Sequence, residues 1–234
     1  MKRYAVKLED TAVDVPKIFC VGRNYAKHAR EMGADIPSEP MLFLKPRTAL
    51  AVEPDIVEVP AAFGELHHEI ELAVVLCKGG RNLSVDSAAR TIGGYGVALD
   101  LTLRAVQAAA KEKGAPWTLA KGFDESAPVG RFARAKNWAW RVSGEEGAGE
   151  GEGEGADFEL HLTVNGETKQ RGPLREMIFS PAKLISYASR YFTLEPGDLF
   201  LTGTPEGVGP LEDGDEVEAA ISGLPGLSFR VKRS

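Results

Sequence analysis

The sequence predicts an α+β fold with a sheet-rich core that curls on itself and a few short helices. Two observations support this prediction: strand-like segments dominate the chain, and they do not alternate with helices in the regular order of a parallel α/β sheet. The number of domains follows from a different observation, since the sequence contains no repeat of fixed period and no convincing linker. We therefore expect one domain over residues 17–234, preceded by a short lead-in at residues 1–16.

The strands are predicted from apolar runs and from the turn residues between them. Residues 69–77 form the clearest strand, and its first half alternates, so that Glu69 and Glu71 share one side while Ile70 and Leu72 share the other. Further strands or extended stretches are expected at residues 17–21, 41–44, 93–101, 116–121, 158–164, 167–171, 198–202, 216–222 and 227–232.

Capping residues mark the helices. Four helices are expected, at residues 25–32, 84–92, 102–113 and 181–191. Asn24, Ser84 and Ser180 are residue types that favour the helix N-cap, and Pro181 suits a first helical turn. Between two of the strands, the pair Asn165–Gly166 predicts a hairpin with a type I′ turn.

The composition is that of an ordinary soluble globular protein, which we expect to be cytoplasmic. Hydrophobic residues make up 43% of the chain and charged residues 26%. The formal net charge is −6 and no long basic run is present, so nucleic-acid binding has little electrostatic support. We expect no signal peptide and no membrane partner, because no apolar stretch approaches the ~20 residues that cross a bilayer. Cys20 and Cys77 lie in apolar runs and are expected to be reduced and buried.

Residues 144–155 alternate glycine with glutamate and offer nothing to bury. Such a composition predicts a mobile acidic surface loop and no packed element.

Three carboxylates are candidates for a metal site. Glu69 and Glu71 project from the same face of a strand that runs on into apolar residues, where an uncompensated carboxylate is costly. Asp100 closes a second apolar strand. Oxygen ligands of this kind suit Mg²⁺ or Mn²⁺, and Ca²⁺ could replace them in crystals. Each residue also has an ordinary interpretation: the glutamates as a solvated strand face, and Asp100 as a helix N-cap.

A second candidate is a general base. His28 and Glu31 lie three residues apart and share one face of the predicted helix 25–32. A glutamate beside a histidine orients the imidazole and raises its basicity. An exposed helix pair without a catalytic role is the alternative.

Several cationic and polar residues complete the candidate site. Lys121 ends an apolar stretch, and Arg104 and Gln107 lie three apart on the helix that follows Asp100. Thr204 lies in the Gly-rich loop 201–210, where backbone N–H groups and its hydroxyl could bind a carboxylate. That loop lacks the Gly-Lys-Ser/Thr ending of a phosphate-binding P-loop. A zinc site of the His/Cys kind is poorly supported by the spacing of cysteines and histidines.

In order along the chain, these motifs resemble the fumarylacetoacetate hydrolase family, in particular its short-chain acylpyruvase and oxaloacetate decarboxylase members. The resemblance covers roughly residues 17–230. Its matching stretches are residues 21–25, His28 with Glu31, and residues 43–46, 68–71, 99–100, 117–121 and 202–209. Residues 144–155 are a departure from the family pattern.

The resemblance implies a mixed β-sandwich roll with a lid helix, usually a homodimer. It also implies a Mg²⁺ or Mn²⁺ ion bound by Glu69, Glu71 and Asp100. Its catalytic residues match His28, Glu31 and Lys121. The residues expected to bind substrate are Arg23, Lys45, Arg104, Gln107 and Thr204.

The activity expected first is hydrolysis or decarboxylation of a C–C bond in a small 2-oxo acid, through an enolate of pyruvate. One alternative is a 2-hydroxyhepta-2,4-diene-1,7-dioate isomerase or 5-oxopent-3-ene-1,2,5-tricarboxylate decarboxylase of aromatic catabolism. An alternative of another class is a non-catalytic protein that binds a 2-oxo acid. The non-catalytic alternative is disfavoured because all three candidate metal ligands and the His28–Glu31 pair are present.

Overall fold

The computed structural model of the protein describes residues 4–31, 33, 35–138 and 158–234. The Gly/Glu-rich segment 144–155, for which a surface loop was expected, lies outside these residues. In the part of the chain described, no helix is long and apolar enough to cross a membrane.

The described residues form eighteen strands, most of them short. They are β1 Ala5–Leu8, β2 Thr11–Asp14, β3 Ile18–Val21, β4 Leu42–Lys45, β5 Leu50–Val52, β6 Ile56–Glu58, β7 Leu66–His68, β8 Ile70–Leu76, β9 Ile92–Leu99, β10 Thr102–Leu103, β11 Ala127–Val129, β12 Ala133–Arg134, β13 Glu159–Val164, β14 Glu167–Pro173, β15 Leu199–Leu201, β16 Gly209–Leu211, β17 Glu216–Ile221 and β18 Leu227–Lys232.

Five α-helices lie between the strands in these same residues. They are α1 Ala26–Glu31, α2 Val85–Ala89, α3 Arg104–Glu112, α4 Thr118–Lys121 and α5 Pro181–Tyr191. Single 3₁₀ turns occur at Arg47–Ala49, Ala61–Phe63, Ala135–Asn137 and Leu174–Glu176. The predicted caps of α2 and α5 are confirmed, because Ser84 and Ser180 accept a hydrogen bond from the backbone N–H of Ser87 and Lys183.

Two large sheets form the body of the fold. One has the strand order β4-β3-β15-β8-β9-β11-β5, with β12 also paired to β9, and the other has the order β14-β13-β17-β18-β6. A small sheet, β10-β7-β16, and the hairpin β1-β2 complete the strands described. This mixed, curled arrangement with few helices confirms the predicted fold class.

Strand β8 organises the interior because it is buried on both faces. Ile70 and Leu72 contribute to a hydrophobic core shared with β13, β17 and β18. Ala73 and Val75 contribute to a second core with β3, β15 and the hairpin β1-β2. The predicted alternation is therefore confirmed, and it places Glu69 and Glu71 on the side of the second core.

The hairpin β13-β14 is also confirmed. Asn165 and Gly166, between the two strands, have φ angles of 53° and 76°. Two successive positive φ values are what a type I′ turn requires, and asparagine and glycine tolerate them best.

Four local predictions were wrong. Residues 118–121 form the short helix α4 and not an extended stretch, since the backbone N–H of Gly122 bonds to the carbonyl of Thr118. Leu119 is 78% exposed there, so its apolar character did not indicate burial. Helix α3 begins at Arg104, because Thr102 and Leu103 pair with β7 as strand β10.

The other two concern Asn24 and Cys77. Asn24 does not cap helix α1, because its side chain hydrogen-bonds the backbone of Phe179 and the carbonyl of Thr202. Cys20 is buried as predicted, whereas Cys77 is exposed, just after the end of β8. Burial raises the pKa of the Cys20 thiol well above its usual value.

Candidate active site

Three carboxylates meet where β8 and β9 pair. The antiparallel register sets Ile70 opposite Leu99, and the backbone N–H of Asp100 donates to the carbonyl of Glu69 at 2.9 Å. Glu71, the second residue of β8, follows Glu69 by two residues and lies on the same face. As a result, ligand atoms of Glu69, Glu71 and Asp100 all lie within 4.8 Å of one another, and all three residues are buried.

Lysine and arginine side chains compensate part of this negative charge. Lys121 Nζ lies 2.8 Å from Glu69 Oε2 and 2.6 Å from Asp100 Oδ2. Arg104 Nη2 lies 2.7 Å from Glu69 Oε1. Lys45 Nζ lies 2.7 Å from Asp100 Oδ1 and 3.0 Å from the hydroxyl of Ser126, and it also donates to the carbonyl of Lys121.

Unlike Glu69 and Asp100, Glu71 forms no ion pair with a lysine, arginine or histidine side chain of the described residues. Its Oε2 atom accepts a hydrogen bond from the backbone N–H of Gly203, at 2.7 Å. Burial raises the pKa of Glu71 well above its usual value, and the negative charges of Asp100 and Glu69 raise it further. For Glu69, burial also acts to raise the pKa, but the positive charges of Lys121 and Arg104 lower it below the ordinary value.

These residues fit a divalent metal ion. Three buried carboxylates supply hard oxygen ligands close enough to share one cation. The raised pKa of Glu71 reflects burial first and then the negative charges of Asp100 and Glu69, and a divalent cation bound there would compensate these charges. The three residues predicted as metal ligands are therefore brought together.

The predicted base pair lies on helix α1. His28 is 4% exposed, and its Nδ1 atom lies 3.2 Å from Glu31 Oε2. The same carboxylate accepts a hydrogen bond from the backbone N–H of Gly207, at 3.1 Å to Oε1. The charge of His28 also lowers the pKa of Glu69, after the larger effects of burial, Lys121 and Arg104, so the imidazole lies within electrostatic range of the cluster.

Arg104 and Gln107 share a face of α3, as predicted. Arg104 Nη1 donates to Gln107 Oε1 at 2.7 Å, while the other end of the guanidinium contacts Glu69. Arg23 is half-buried, between β3 and α1.

Thr204 is buried in the loop that follows β15. It contacts Gln170, a residue that was not predicted from the sequence as part of the site. Its hydroxyl accepts a hydrogen bond from Gln170 Nε2, at 2.8 Å. Gln170 lies on β14 and is 1% exposed. Strand β14 is polar almost throughout, so only the alternation of a strand could have suggested that one of its side chains faces inward.

A cleft of about 520 Å³ is separate from the three carboxylates, none of which lines it. Its walls are almost entirely apolar and include Phe43, Trp117 and Phe192. The Phe43 ring connects it to the site, because Lys121 Nζ lies 5.5 Å from the ring centroid.

Comparison with known proteins gives consistent results. The family model "Fumarylacetoacetate (FAA) hydrolase C-terminal" matches residues 17–232. Oxaloacetate tautomerase FAHD1, mitochondrial, of Bos taurus is 48% identical over 216 residues, which is 92% of this chain and 91% of the relative. Oxaloacetate tautomerase YcgM of Escherichia coli (strain K12) is 46% identical over 209 residues, 89% of this chain and 90% of the relative.

Among solved structures, a fumarylpyruvate hydrolase from Pseudomonas aeruginosa in complex with Mn²⁺ and pyruvate is similar over the full length. The TM-score is 0.88 and the sequence identity 37%, and the match covers 100% of this chain and 97% of that chain. The resemblance inferred from the sequence motifs is confirmed.

Proposed function

Because this chain belongs to the fumarylacetoacetate hydrolase family of enzymes acting on oxo acids, we propose that it catalyses enolisation of a small 2-oxo acid, with oxaloacetate as the first candidate substrate. The names of the relatives support oxaloacetate, and the neighbour with Mn²⁺ and pyruvate supports a divalent metal and a 2-oxo acid ligand. Mg²⁺ and Mn²⁺ are the proposed metals.

The observation that carries the proposal is the His28–Glu31 pair beside the carboxylate cluster. Glu31 accepts a hydrogen bond from His28 Nδ1, which leaves Nε2 with the free lone pair of a base. This nitrogen is the proposed acceptor for a proton from C3 of oxaloacetate. Because His28 is only 4% exposed, bulk solvent has little access to the base.

A bound divalent metal would supply a Lewis acid at Glu69, Glu71 and Asp100 that stabilises negative charge developing on the 2-oxo oxygen. Arg104 is proposed to bind a substrate carboxylate, since Glu69, Gln107 and His67 take three of the five N–H donors of its guanidinium and two remain. Thr204, Arg23 and Gln107 remain proposed substrate contacts.

Lys45 and Lys121 have different proposed roles. The Lys45 ammonium is fully buried and contacts Asp100, Ser126 and a backbone carbonyl, so we propose that it orients Asp100 and does not touch substrate. Lys121 contacts both Glu69 and Asp100, two of the residues that would hold the metal, and its ammonium is proposed to stabilise the substrate anion.

In the proposed tautomerisation the C3–H bond of keto-oxaloacetate breaks, a C2=C3 double bond forms and the 2-oxo oxygen gains a proton. Keto and enol forms are isomers, so no co-reactant is needed. Loss of CO₂ from oxaloacetate, or hydrolysis of an acylpyruvate by a water that His28 activates, would yield the same type of enolate. These two reactions, which the sequence analysis placed first, remain candidates for the same residues.

One experiment separates the three reactions. Enol-oxaloacetate is followed by its ultraviolet absorbance, and pyruvate release is measured from oxaloacetate and from acetylpyruvate, each with Mg²⁺ and with EDTA. Metal-dependent loss of enol without pyruvate release supports the tautomerase. Pyruvate from oxaloacetate supports decarboxylation, and pyruvate from acetylpyruvate supports hydrolysis. If none of these reactions is accelerated while a dienoate diacid is isomerised, the isomerase alternative replaces the proposal.

Helix α1 is proposed as the lid of this site. Its charged side chains contact later parts of the chain: Lys27 Nζ lies 3.1 Å from Glu176 Oε1 and 3.7 Å from Glu206 Oε1, and Glu31 accepts a hydrogen bond from the backbone N–H of Gly207. Equal protease sensitivity of residues 24–32 with and without oxalate plus Mg²⁺ would contradict the lid. The homodimer and the cytoplasmic location remain predictions, the first testable by light scattering.

A further inference from the structure

Gln170 is a buried amide whose four hydrogen bonds all go to residues beside the carboxylate cluster. Its Oε1 accepts from the backbone N–H of Ile70 at 3.0 Å and lies 2.9 Å from His68 Nδ1. Its Nε2 donates to the hydroxyl of Thr204 at 2.8 Å and to the carbonyl of Pro205 at 3.0 Å. The amide therefore uses both of its donors and both acceptor positions.

The Oε1 contacts hold the backbone on both sides of Glu69. His68 ends β7 and Ile70 begins β8, so the candidate ligand Glu69 lies between the two residues that Gln170 contacts. Since an amide oxygen only accepts, His68 must carry its proton on Nδ1. This bond fixes the imidazole and, with the bond from Ile70, restricts the backbone that aims the Glu69 carboxylate.

The Nε2 contacts hold the Thr204 loop. The Thr204 hydroxyl accepts from Gln170 and so keeps its own proton for another partner. The preceding residue, Gly203, donates its backbone N–H to Glu71. The loop is thus attached to Glu71 directly and to the surroundings of Glu69 through Gln170.

We propose that Gln170 is a positioning residue that aligns the metal ligand Glu69 and the Thr204 hydroxyl with each other, so that a 2-oxo acid can contact the metal and Thr204 together. The proposal rests on the proposed function only in assuming a divalent metal and a 2-oxo acid ligand. It does not depend on which reaction follows. Buried partners behind metal ligands typically change metal affinity 10–100-fold when they are removed.

The test measures binding and not turnover. Mn²⁺ is titrated into the metal-free protein, and oxalate, whose adjacent oxygens mimic a 2-oxo carboxylate, is titrated into the Mn²⁺-loaded protein. Thr204→Val should weaken oxalate about tenfold, the effect of one lost hydrogen bond, and leave the Mn²⁺ Kd unchanged. Gln170→Met should weaken both ligands about tenfold or more. In the double variant, oxalate binding should be no weaker than in Gln170→Met, because both substitutions remove the same interaction between oxalate and the Thr204 hydroxyl.

Two further variants serve as controls. Ser189→Ala removes a buried hydroxyl that bonds Leu83 and Ser186, remote from the carboxylates, and should leave both Kd values unchanged. If Gln170→Met does not fold, Gln170→Glu keeps the acceptor for Ile70 but cannot donate to Thr204. It should retain Mn²⁺ affinity, weaken oxalate about tenfold or more, and show no further loss when combined with Thr204→Val.

The outcomes are distinct. The proposal is overturned if the Gln170 variants bind both ligands as wild type does, if the effects of the two sites on oxalate add, or if wild type binds no Mn²⁺. If the variants change binding as expected but the wild type acts on no 2-oxo acid, the role of Gln170 is retained and the proposed function is rejected.

Discussion

Lys45 Nζ lies 2.7 Å from Asp100 Oδ1, and the two side chains are 0% and 1% exposed. Removing one partner of such a buried pair leaves a charge without full compensation. We expect Lys45→Met to lower the free energy of unfolding by about 3 kcal/mol, measured by urea denaturation. Lys7→Met is the matched control, because Lys7 pairs with Glu53 at the surface and should cost under about 1 kcal/mol. Equal losses in both variants would contradict the prediction.

Metal binding should stabilise the protein through Glu71. Excess Mn²⁺ is expected to raise the Tm of the wild type, with a gain of about 2.7 kcal/mol at a hundred times the Kd. Glu71→Gln should be at least as stable as the wild type in EDTA, because it removes a buried like charge, yet gain nothing from Mn²⁺. Differential scanning calorimetry checks both points. The exposed Glu218→Gln should respond to Mn²⁺ as the wild type does.

His28 should matter for proton transfer and not for folding. We expect His28→Ala to lower kcat for the metal-dependent reaction about 10³-fold while the Mn²⁺ Kd stays within twofold. Glu31→Gln should lose only about tenfold, since an amide oxygen still accepts from His28 and from Gly207. Steady-state kinetics gives both values. His161→Ala, on strand β13, is the histidine control, and a comparable loss of kcat there would refute the assignment.

The N-cap of α5 offers a test of local stability. Ser180 is 5% exposed, and its hydroxyl accepts from the backbone N–H of Lys183 at 3.3 Å. Ser180→Ala should lower the free energy of unfolding by about 1 kcal/mol in urea. Ser228→Ala, at an exposed position of β18, should change it by less than about 0.5 kcal/mol. A Ser180 variant as stable as the wild type would show that the cap contributes little.

Much of the fold and site could be predicted because the signals were local or ordered along the chain. The alternation of Glu69 and Glu71 with apolar neighbours placed both carboxylates on one face, and the Asn165–Gly166 pair marked its turn. Asp100 was ambiguous by itself between a helix cap and a ligand. The structure decides against the cap, since α3 begins only at Arg104.

What the sequence could not indicate depends on tertiary contacts. Asn24 is a good cap by residue type, but its amide bonds to Phe179 and Thr202, more than 150 residues away in the chain. Gln170 lies in a polar strand, and its buried amide is bonded to residues far away in the chain, Ile70 and Thr204. Leu119 belongs to an apolar run, yet the short helix α4 turns it outward.

The different exposure of the two cysteines has a practical consequence for spectroscopy. Cys20 is 0% exposed, whereas Cys77 is exposed, so a thiol reagent should label a single position. Cys77 follows β8 six residues after Glu71, which at about 3.3 Å per residue places the two roughly 20 Å apart. A nitroxide at Cys77 and a paramagnetic Mn²⁺ at the carboxylates would then report the ion's position by dipolar spectroscopy, in an otherwise unmodified protein.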